Sequence, residues 1–212
     1  MLKIEKLNVY RGYIHANIDI SFDVKKAEMV GIFGSNGAGK TTLLQSIMGL
    51  VPVKSGSIYY NGLEITAFPP HKIARLGIGY VPEDRRLIGE VKVEENILIP
   101  CWGKKMPQRV KFNTFEEIFP GIKRLYGKSG EFCSGGEQML IAIFRALSSG
   151  PDFLLLDECF EGLGGVARES WTGYLLEERK KGLSGVIAES NRAFLTWCDK
   201  LYQIERGILT PL

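Results

Sequence analysis

The chain has 212 residues, 45% of them hydrophobic, and a formal net charge of +3 at pH 7, which fits one folded domain with a full core. No apolar run approaches the roughly 20 residues that span a bilayer, and the N-terminus lacks the apolar stretch of a signal peptide, so we expect a cytosolic chain. The modest charge and short basic clusters argue against a nucleic-acid partner. The four cysteines lie far apart without a CxxC pair, which argues against a zinc site and a disulfide framework.

The N-terminal part of the chain alternates apolar and polar residues, as antiparallel strands do. Two such segments are LKIEKLNV and IHANIDISFDV. A third, SGSIYYNGLEI, contains Asn61-Gly62, a dipeptide typical of hairpin turns. These segments predict an antiparallel β subdomain.

Short, uninterrupted apolar runs recur further along the chain. MVGIF, IGYV, FLLLD and GVIAE each suit a strand buried on both faces, and helical patterns separate them, which predicts a parallel α/β sheet. Residues 84–150 contain VEENIL, GKKMPQ and TFEEIFPGIKRL, whose threonine and glutamates suit a helix start. We interpret 84–150 as a small helical subdomain inserted into a single domain of residues 1–212.

The segment GSNGAGKT matches the phosphate-binding pattern G-x-x-x-x-G-K-[ST]. Its glycines let backbone N–H groups surround phosphate oxygens at a helix N-terminus, while Lys40 reaches the terminal phosphates and Thr41 holds Mg²⁺. The motif follows MVGIF and opens the helical pattern TTLLQSIMGL, which is the context that this chemistry needs. The predicted contacts to a nucleoside triphosphate come from Gly34, Ser35, Asn36, Gly37, Ala38, Gly39, Lys40, Thr41 and Thr42.

The apolar run FLLLDE ends in two carboxylates. At the C-terminal end of a buried strand, Asp157 is placed to hold Mg²⁺, and Glu158 then lies next to the γ-phosphate as a base for the attacking water. Taken alone, two acids at a strand end are often only a polar terminus. Together with the phosphate-binding segment they predict nucleotide hydrolysis.

A second glycine-rich helix opening, CSGGEQ, covers residues 133–138. The hydroxyl of Ser134 and the N–H groups of Gly135 and Gly136 could close the open face of a γ-phosphate, and that nucleotide could belong to a second subunit. The alternative is an ordinary helix cap formed by Ser134.

In this order, GSNGAGKTT, CSGGEQ and LLLDE resemble the nucleotide-binding domain of ATP-binding cassette (ABC) transporters, over essentially the whole chain. The resemblance implies a P-loop NTPase (RecA-like) core with an antiparallel β subdomain and a small helical insertion, and ATP and Mg²⁺ as cofactors. It also implies a head-to-tail dimer with a second ABC ATPase subunit, in which each signature caps the partner's ATP. Transmembrane permease subunits would hold this dimer at the cytoplasmic face of the cell membrane. Cys133 replaces the usual leucine of the signature.

Other family positions match with substitutions. YVPE places Glu83 where a glutamine that contacts Mg²⁺ or water is usual, and a glutamate can still bind Mg²⁺. VYRGYIHAN resembles the loop whose aromatic residue stacks on adenine. Tyr10 or Tyr13 could stack on adenine here, and we predict Tyr13. Cys159 and Gly164 stand where the family usually has proline and aspartate.

Ser190 falls where many members carry a histidine that touches the γ-phosphate. The two histidines of this chain, His15 and His71, lie elsewhere and are predicted to be surface groups. One of the two paired ATPases in the amino-acid uptake subfamily also lacks that histidine, so its absence suggests a heterodimer whose partner completes a better site.

The runs GIGYVPEDRRLIGEVKVEENIL and CSGGEQMLIAIFRAL look most like the ATPases of branched-chain amino acid uptake systems, which have relatives in urea uptake. The leading interpretation is therefore an ATPase subunit of a membrane importer for branched-chain or other hydrophobic amino acids. The alternatives are an importer of urea or another solute, and a catalytically weak regulatory subunit, which Gly164 and Ser190 favour. A soluble ABC protein acting on ribosomes or DNA is disfavoured, because such relatives usually carry two cassettes or a long coiled coil.

Overall fold

The computed structural model describes residues 1–102 and 112–212, with side chains described to residue 102 and again from residue 115. The chain forms two β-sheets surrounded by helices. The strands are β1 (Leu2–Arg11), β2 (Ile14–Val24), β3 (Met29–Phe33), β4 (Val53–Tyr60), β5 (Leu63–Glu64), β6 (Ile78–Val81), β7 (Phe153–Asp157), β8 (Ser184–Glu189), β9 (Lys200–Glu205) and β10 (Ile208–Pro211).

The smaller sheet is antiparallel, with the strand order β2-β1-β4-β5, and it confirms the antiparallel strands predicted from the sequence. Along β1, apolar residues such as Leu2 and Ile4 are buried, whereas the lysine between them is exposed. Strand β4 turns into β5 through Asn61 and Gly62, whose φ angles are 50° and 82°. Two consecutive left-handed residues are what a tight two-residue hairpin needs, so the predicted turn is confirmed.

The larger sheet has the order β10-β9-β3-β8-β7-β6, and its strands run parallel except for β10, which pairs antiparallel with β9. Every residue of β7 and β8 is buried, as the continuous apolar runs predicted. Because neighbouring parallel strands point the same way, Phe33, Asp157 and Glu189 end their strands along one edge of the sheet. This edge carries the candidate site.

The α-helices lie between and around the strands. They are α1 (Lys40–Ile47), α2 (Pro70–Arg75), α3 (Val93–Leu98), α4 (Phe112–Ile118), α5 (Gly135–Ser148) and α6 (Gly165–Lys180). None of these described helices has the length and apolar content needed to cross a membrane.

One prediction about the helices is wrong. Thr114 lies within α4 and does not start it, because the helix follows an apolar face that includes the buried residues Phe115 and Ile118. The helix ends shortly before Pro120, which cannot continue it. The predicted segment GKKMPQ lies outside the described residues.

Two hydrophobic clusters stabilise the fold. One joins α1 to the antiparallel sheet and to one face of the larger sheet, and the other joins α4, α5 and α6 to the opposite face. In the second cluster, Phe144 of α5 stacks on Phe115 of α4 with ring centroids 4.1 Å apart. The helices α3, α4 and α5 fall within residues 84–150, and the interpretation of that range as an inserted subdomain stays a prediction.

The segment after β6 has an unusual backbone that α5 holds in place. Arg85 and Arg86 both take left-handed φ angles, 60° and 47°, which cost non-glycine residues about 1–2 kcal/mol each. The guanidinium of Arg145 in α5 donates to both carbonyl oxygens, at 2.5 Å to Arg85 and 2.6 Å to Arg86. The segment that begins at Glu83 is therefore tied directly to the helix that follows CSGGEQ.

Candidate active site

A cavity of about 560 Å³ opens at the carboxyl edge of the larger sheet. It brings together residues of the phosphate-binding segment, the start of β2, the segment after β6 and the end of β7. The lining residues are Arg11, Ile14, His15, Ala16, Asn36, Gly37, Gly39, Lys40, Thr41, Thr42, Glu83, Glu158, Arg206 and Gly207.

The phosphate-binding segment joins β3 to α1, as the motif predicts, and two of its glycines are required by close packing. A Cβ atom on Gly34 would lie 2.3 Å from the carbonyl oxygen of Ile204. At Gly39, φ is 111° and a Cβ atom would lie 2.4 Å from the carbonyl oxygen of Ala16. The segment is fixed from outside, because Gly34 N donates to the carbonyl oxygen of Glu189 at 3.2 Å.

Lys40, the first residue of α1, extends back along the loop that precedes it. Its Nζ donates to the carbonyl oxygens of Gly34 at 2.6 Å and Ser35 at 3.1 Å, and lies 3.0 Å from Oε1 of Glu158. Both side chains of this ion pair are nearly buried, with 5% and 6% exposed. Lys40, the candidate phosphate-binding residue, is thus in direct contact with Glu158, the candidate base. The sequence predicts that both lie near the terminal phosphate, but it does not predict this contact.

Asp157 sits at the end of β7 between two hydroxyl groups. Thr41 donates to its Oδ1 and Tyr80 to its Oδ2, each at 3.1 Å. Burial raises the pKa of Asp157 to about 6, although both hydroxyl groups act to lower it. Tyr80 was not predicted to contact Asp157, and its place in the buried run IGYV, next to FLLLD in the sheet, was the available signal.

The oxygen donors present here fit a Mg²⁺ ion. Asp157 and Thr41 are in contact, and Glu83 is exposed and lines the same cavity. Within residues 1–102 and 112–212, no cluster of three or more His, Cys, Asp or Glu residues could enclose a metal by itself. In the usual mode of Mg²⁺ binding, one or two carboxylates act together with phosphate oxygens and water.

Glu158 is held from two sides. Its backbone is left-handed, with φ at 49°, and its Oε2 accepts hydrogen bonds from the amide of Ser190 at 3.0 Å and the hydroxyl of Ser190 at 3.2 Å. Ser190, noted in the sequence as a replacement for histidine, therefore contacts the candidate base. The contact itself was not foreseen.

A second buried acid, Glu189, stands next to this pair and was missed. Its Oε1 accepts a hydrogen bond from the amide of Phe160 at 2.9 Å. Burial raises the pKa of Glu189 to about 9, which favours the neutral form of the carboxyl group at pH 7. The signal was present in GVIAE, an apolar run that ends in a carboxylate in the same way as FLLLD.

The segment CSGGEQ opens α5 away from the cavity. Ser134 is the N-cap of α5: its hydroxyl accepts from the amide of Glu137 at 3.4 Å, and its own amide donates to the Glu137 carboxylate at 2.8 Å. Ser134 and Gly135 are exposed, and a Cβ atom on Gly135 would lie 3.2 Å from the guanidinium of Arg85. The capping alternative is thus observed, while the exposed surface leaves this segment open to a second subunit.

The tyrosines predicted to stack on adenine do not line the cavity. Tyr13 is fully exposed, and Tyr10 stacks on His15 with ring centroids 4.3 Å apart. His15 is partly exposed and lines the cavity, because the return of β2 beside β1 brings it there. Arg11 and Arg206 also line the cavity and were not predicted to do so.

A buried parallel strand that leads through a glycine-rich phosphate loop into a helix, beside a strand that ends in two acids, defines a P-loop nucleotide-binding domain. The ABC transporter family profile matches residues 18–161, and the chain belongs to that family of ATP-binding, ATP-hydrolysing cassettes.

Individual relatives agree with this assignment. The high-affinity branched-chain amino acid transport ATP-binding protein BraG of Pseudomonas aeruginosa is 38% identical over 98% of this chain and 90% of its own length. The lipopolysaccharide export system ATP-binding protein LptB of Escherichia coli is 34% identical over 90% of this chain and 81% of its own length. Among solved structures, the ADP conformation of MJ1267, an ATP-binding cassette of an ABC transporter, is similar with a TM-score of 0.78 and 26% identity, over 99% of this chain and 89% of that one.

Proposed function

We propose that this chain is the ATPase subunit of a membrane importer for branched-chain or other hydrophobic amino acids. The observation that carries the proposal is the contact set formed by Lys40, Thr41, Asp157 and Glu158 on one edge of the sheet. The similarity to BraG, whose name states branched-chain amino acid transport, supports the choice of solute.

In the proposed mechanism, backbone N–H groups of the loop 34–42 and the ammonium of Lys40 bind the ATP phosphates. Thr41, Asp157 and Glu83 would hold Mg²⁺, which neutralises charge on the β- and γ-phosphates when it is bound. Glu158 orients the attacking water and accepts its proton. Because Lys40 contacts Glu158 directly, the γ-phosphate and the base compete for one ammonium group.

The second half of each site is proposed to come from another ABC ATPase subunit. Ser134, Gly135 and Gly136 lie at the exposed start of α5, outside the cavity that holds this chain's own nucleotide. A partner's γ-phosphate could therefore meet the hydroxyl and N–H groups there. Permease subunits would complete the transporter at the cytoplasmic face of the cell membrane.

Transport itself is the direct test. The chain, co-expressed with branched-chain amino acid permease subunits, is expected to co-purify with them and to drive ATP-dependent uptake of leucine, isoleucine or valine into vesicles. A complex that forms but moves lipopolysaccharide, as the similarity to LptB allows, or urea would contradict the assigned solute. A complex that binds ATP without hydrolysing it would favour the regulatory alternative, for which Ser190 and Gly164 are the relevant substitutions.

We expect Ser134→Arg to block ATP-driven dimerisation and to stop hydrolysis in the partner's site, because a bulky side chain displaces the groups that close the partner's γ-phosphate. ATP affinity of the monomer should stay nearly unchanged, since its own phosphates lie at 34–42. Monomer affinity by titration and dimer formation by size-exclusion chromatography with light scattering check both statements.

Two matched variants separate capping from dimer contact. Ser134→Ala removes the hydroxyl without adding bulk, so its loss of monomer folding stability, about 1 kcal/mol, measures the cap alone. Ser55→Arg places the same bulk on an exposed position of β4, and it should leave dimerisation intact. Normal assembly of a folded Ser134→Arg protein would refute the contact with the partner.

A further inference from the structure

Two buried carboxyl groups meet at the ends of neighbouring strands. Glu158 follows β7 and Glu189 ends β8, with 6% and 0% of their surfaces exposed. The amide of Glu158 donates to the carbonyl oxygen of Ala188 at 2.9 Å, which fixes the two residues side by side at neighbouring strand ends. Oε1 of Glu158 and Oε2 of Glu189 are both buried without a hydrogen-bond partner among the described residues. Two ionised carboxylates on adjacent buried residues would repel each other strongly.

The four carboxyl oxygens have unequal partners. Oε2 of Glu158 accepts from Ser190 twice, and Oε1 of Glu189 accepts from the amide of Phe160. Oε1 of Glu158 is near Lys40 Nζ without a well-directed hydrogen bond, and Oε2 of Glu189 has no hydrogen-bond partner among the described residues. A proton on Glu189 turns an unsatisfied acceptor into a donor, and the adjacent Glu158 has a carboxylate oxygen that lacks a hydrogen-bond partner.

The surrounding charges agree with a single negative charge on the pair. Lys40 is a cation in contact with Glu158, and Glu161 and the thiol of Cys159 are titratable groups near Glu189 among the described residues. One ammonium balances one carboxylate, so the second carboxyl group is stable only in its neutral form.

We propose that Glu189 is a positioning residue for ATP hydrolysis, which as a neutral acid donates a hydrogen bond to the Glu158 carboxylate and holds it in place when Lys40 engages phosphate. Ser190 supplies two further hydrogen bonds to the same carboxylate. Glu189 keeps its proton throughout and touches neither water nor phosphate. The proposal rests on the proposed role of Glu158 as the base.

Two variants of Glu189 test this role, with hydrolysis measured on the full chain in its transporter complex. Glu189→Leu removes the donor and is expected to lower kcat by about 10- to 100-fold, the range typical of outer-shell partners of functional groups, with the KM for ATP changed less than about threefold. Glu189→Gln can accept from the Phe160 amide and donate to Glu158, so it should restore kcat to within about threefold of the unmodified chain.

The pH dependence of turnover distinguishes a positioning role of Glu189 from a purely structural one, because a purely structural residue would not change it. The pKa of Glu189 is raised from its usual 4.5 to about 9, so its contribution to stability is complete below pH 4.5 and is lost as pH rises through about 9. The melting temperature of the unmodified chain should therefore fall between about pH 4.5 and 9, and turnover should fall as pH rises through about 9. Glu189→Gln, which carries no titrating proton there, should lose less of both.

The outcomes are distinct. If Glu158→Gln leaves turnover intact, the proposed base is wrong and the positioning role fails with it. If Glu158→Gln is inactive but Glu189→Leu keeps full kcat, or Glu189→Gln keeps the alkaline loss unchanged, only the positioning role is overturned. Should Glu189→Leu fail to fold, the pH profile of Glu189→Gln decides the matter alone.

Discussion

Glu158→Gln is expected to reduce ATP turnover by about 10²- to 10⁴-fold while ATP binding persists, because it removes the proton acceptor and keeps the size of the side chain. The glutamine side chain also lacks the negative charge that lies 3.0 Å from Lys40 Nζ in the unmodified chain. The Lys40 ammonium therefore interacts with the γ-phosphate without competition from a carboxylate. ATP affinity should therefore rise, and ATP-bound dimers should accumulate. Single-turnover hydrolysis and light scattering in the presence of ATP measure both effects.

Glu169→Gln is the matched control, since Glu169 is an exposed acid on α6 that does not line the cavity. It should hydrolyse ATP at close to the rate of the unmodified chain. Turnover in Glu158→Gln that matches this control would show that Glu158 is not the base.

Lys40→Ala is expected to remove the thermal stabilisation that Mg-ATP gives to the chain. Ligand at about 100 times its dissociation constant stabilises a protein by roughly 2.7 kcal/mol, and loss of the buried ammonium at the phosphate site should abolish most of that shift. The melting temperature should be measured with and without Mg-ATP for each variant, because loss of the ion pair with Glu158 also lowers the ligand-free value.

Lys54→Ala provides the comparison, since Lys54 is an exposed lysine on β4, away from the cavity. Its shift with Mg-ATP should equal that of the unmodified chain. An equal shift in Lys40→Ala would remove the nucleotide assignment of the segment 34–42.

The parts of the site that the sequence predicts are those encoded by contiguous residues. The phosphate loop is predicted directly by GSNGAGKT. Its glycine spacing allows the backbone to wrap around phosphate, and the helix that follows presents its N-terminus to the phosphate. Asp157 was found by the same reasoning, since an apolar run that ends in an acid places it at a sheet edge. The strands were recovered for a related reason: continuous and alternating apolar patterns distinguish the buried sheet from the half-exposed one.

The parts that were missed depend on contacts between distant segments. Tyr80 reaches Asp157 only because β6 pairs with β7, and Ser190 reaches Glu158 only because β8 pairs with β7. No local pattern states these pairings. Arg206 likewise meets the cavity from a turn between the last two strands. For Glu189 the pattern existed, but burial and the neighbouring carboxyl group, which determine its protonation, are properties of the folded chain.

The Arg145 contact described for α5 also constrains how this chain can change in evolution. Replacing Arg145 alone leaves two carbonyl oxygens of a left-handed Arg85-Arg86 pair without their donors. Replacing Arg85 with glycine would ease the backbone, yet it would remove the guanidinium that lies against Gly135. Because these losses involve one set of contacts, their costs are not expected to add, which is epistasis. We therefore expect these arginines to be retained or exchanged together among orthologous chains, as a covarying unit that joins the loop after Glu83 to the signature helix.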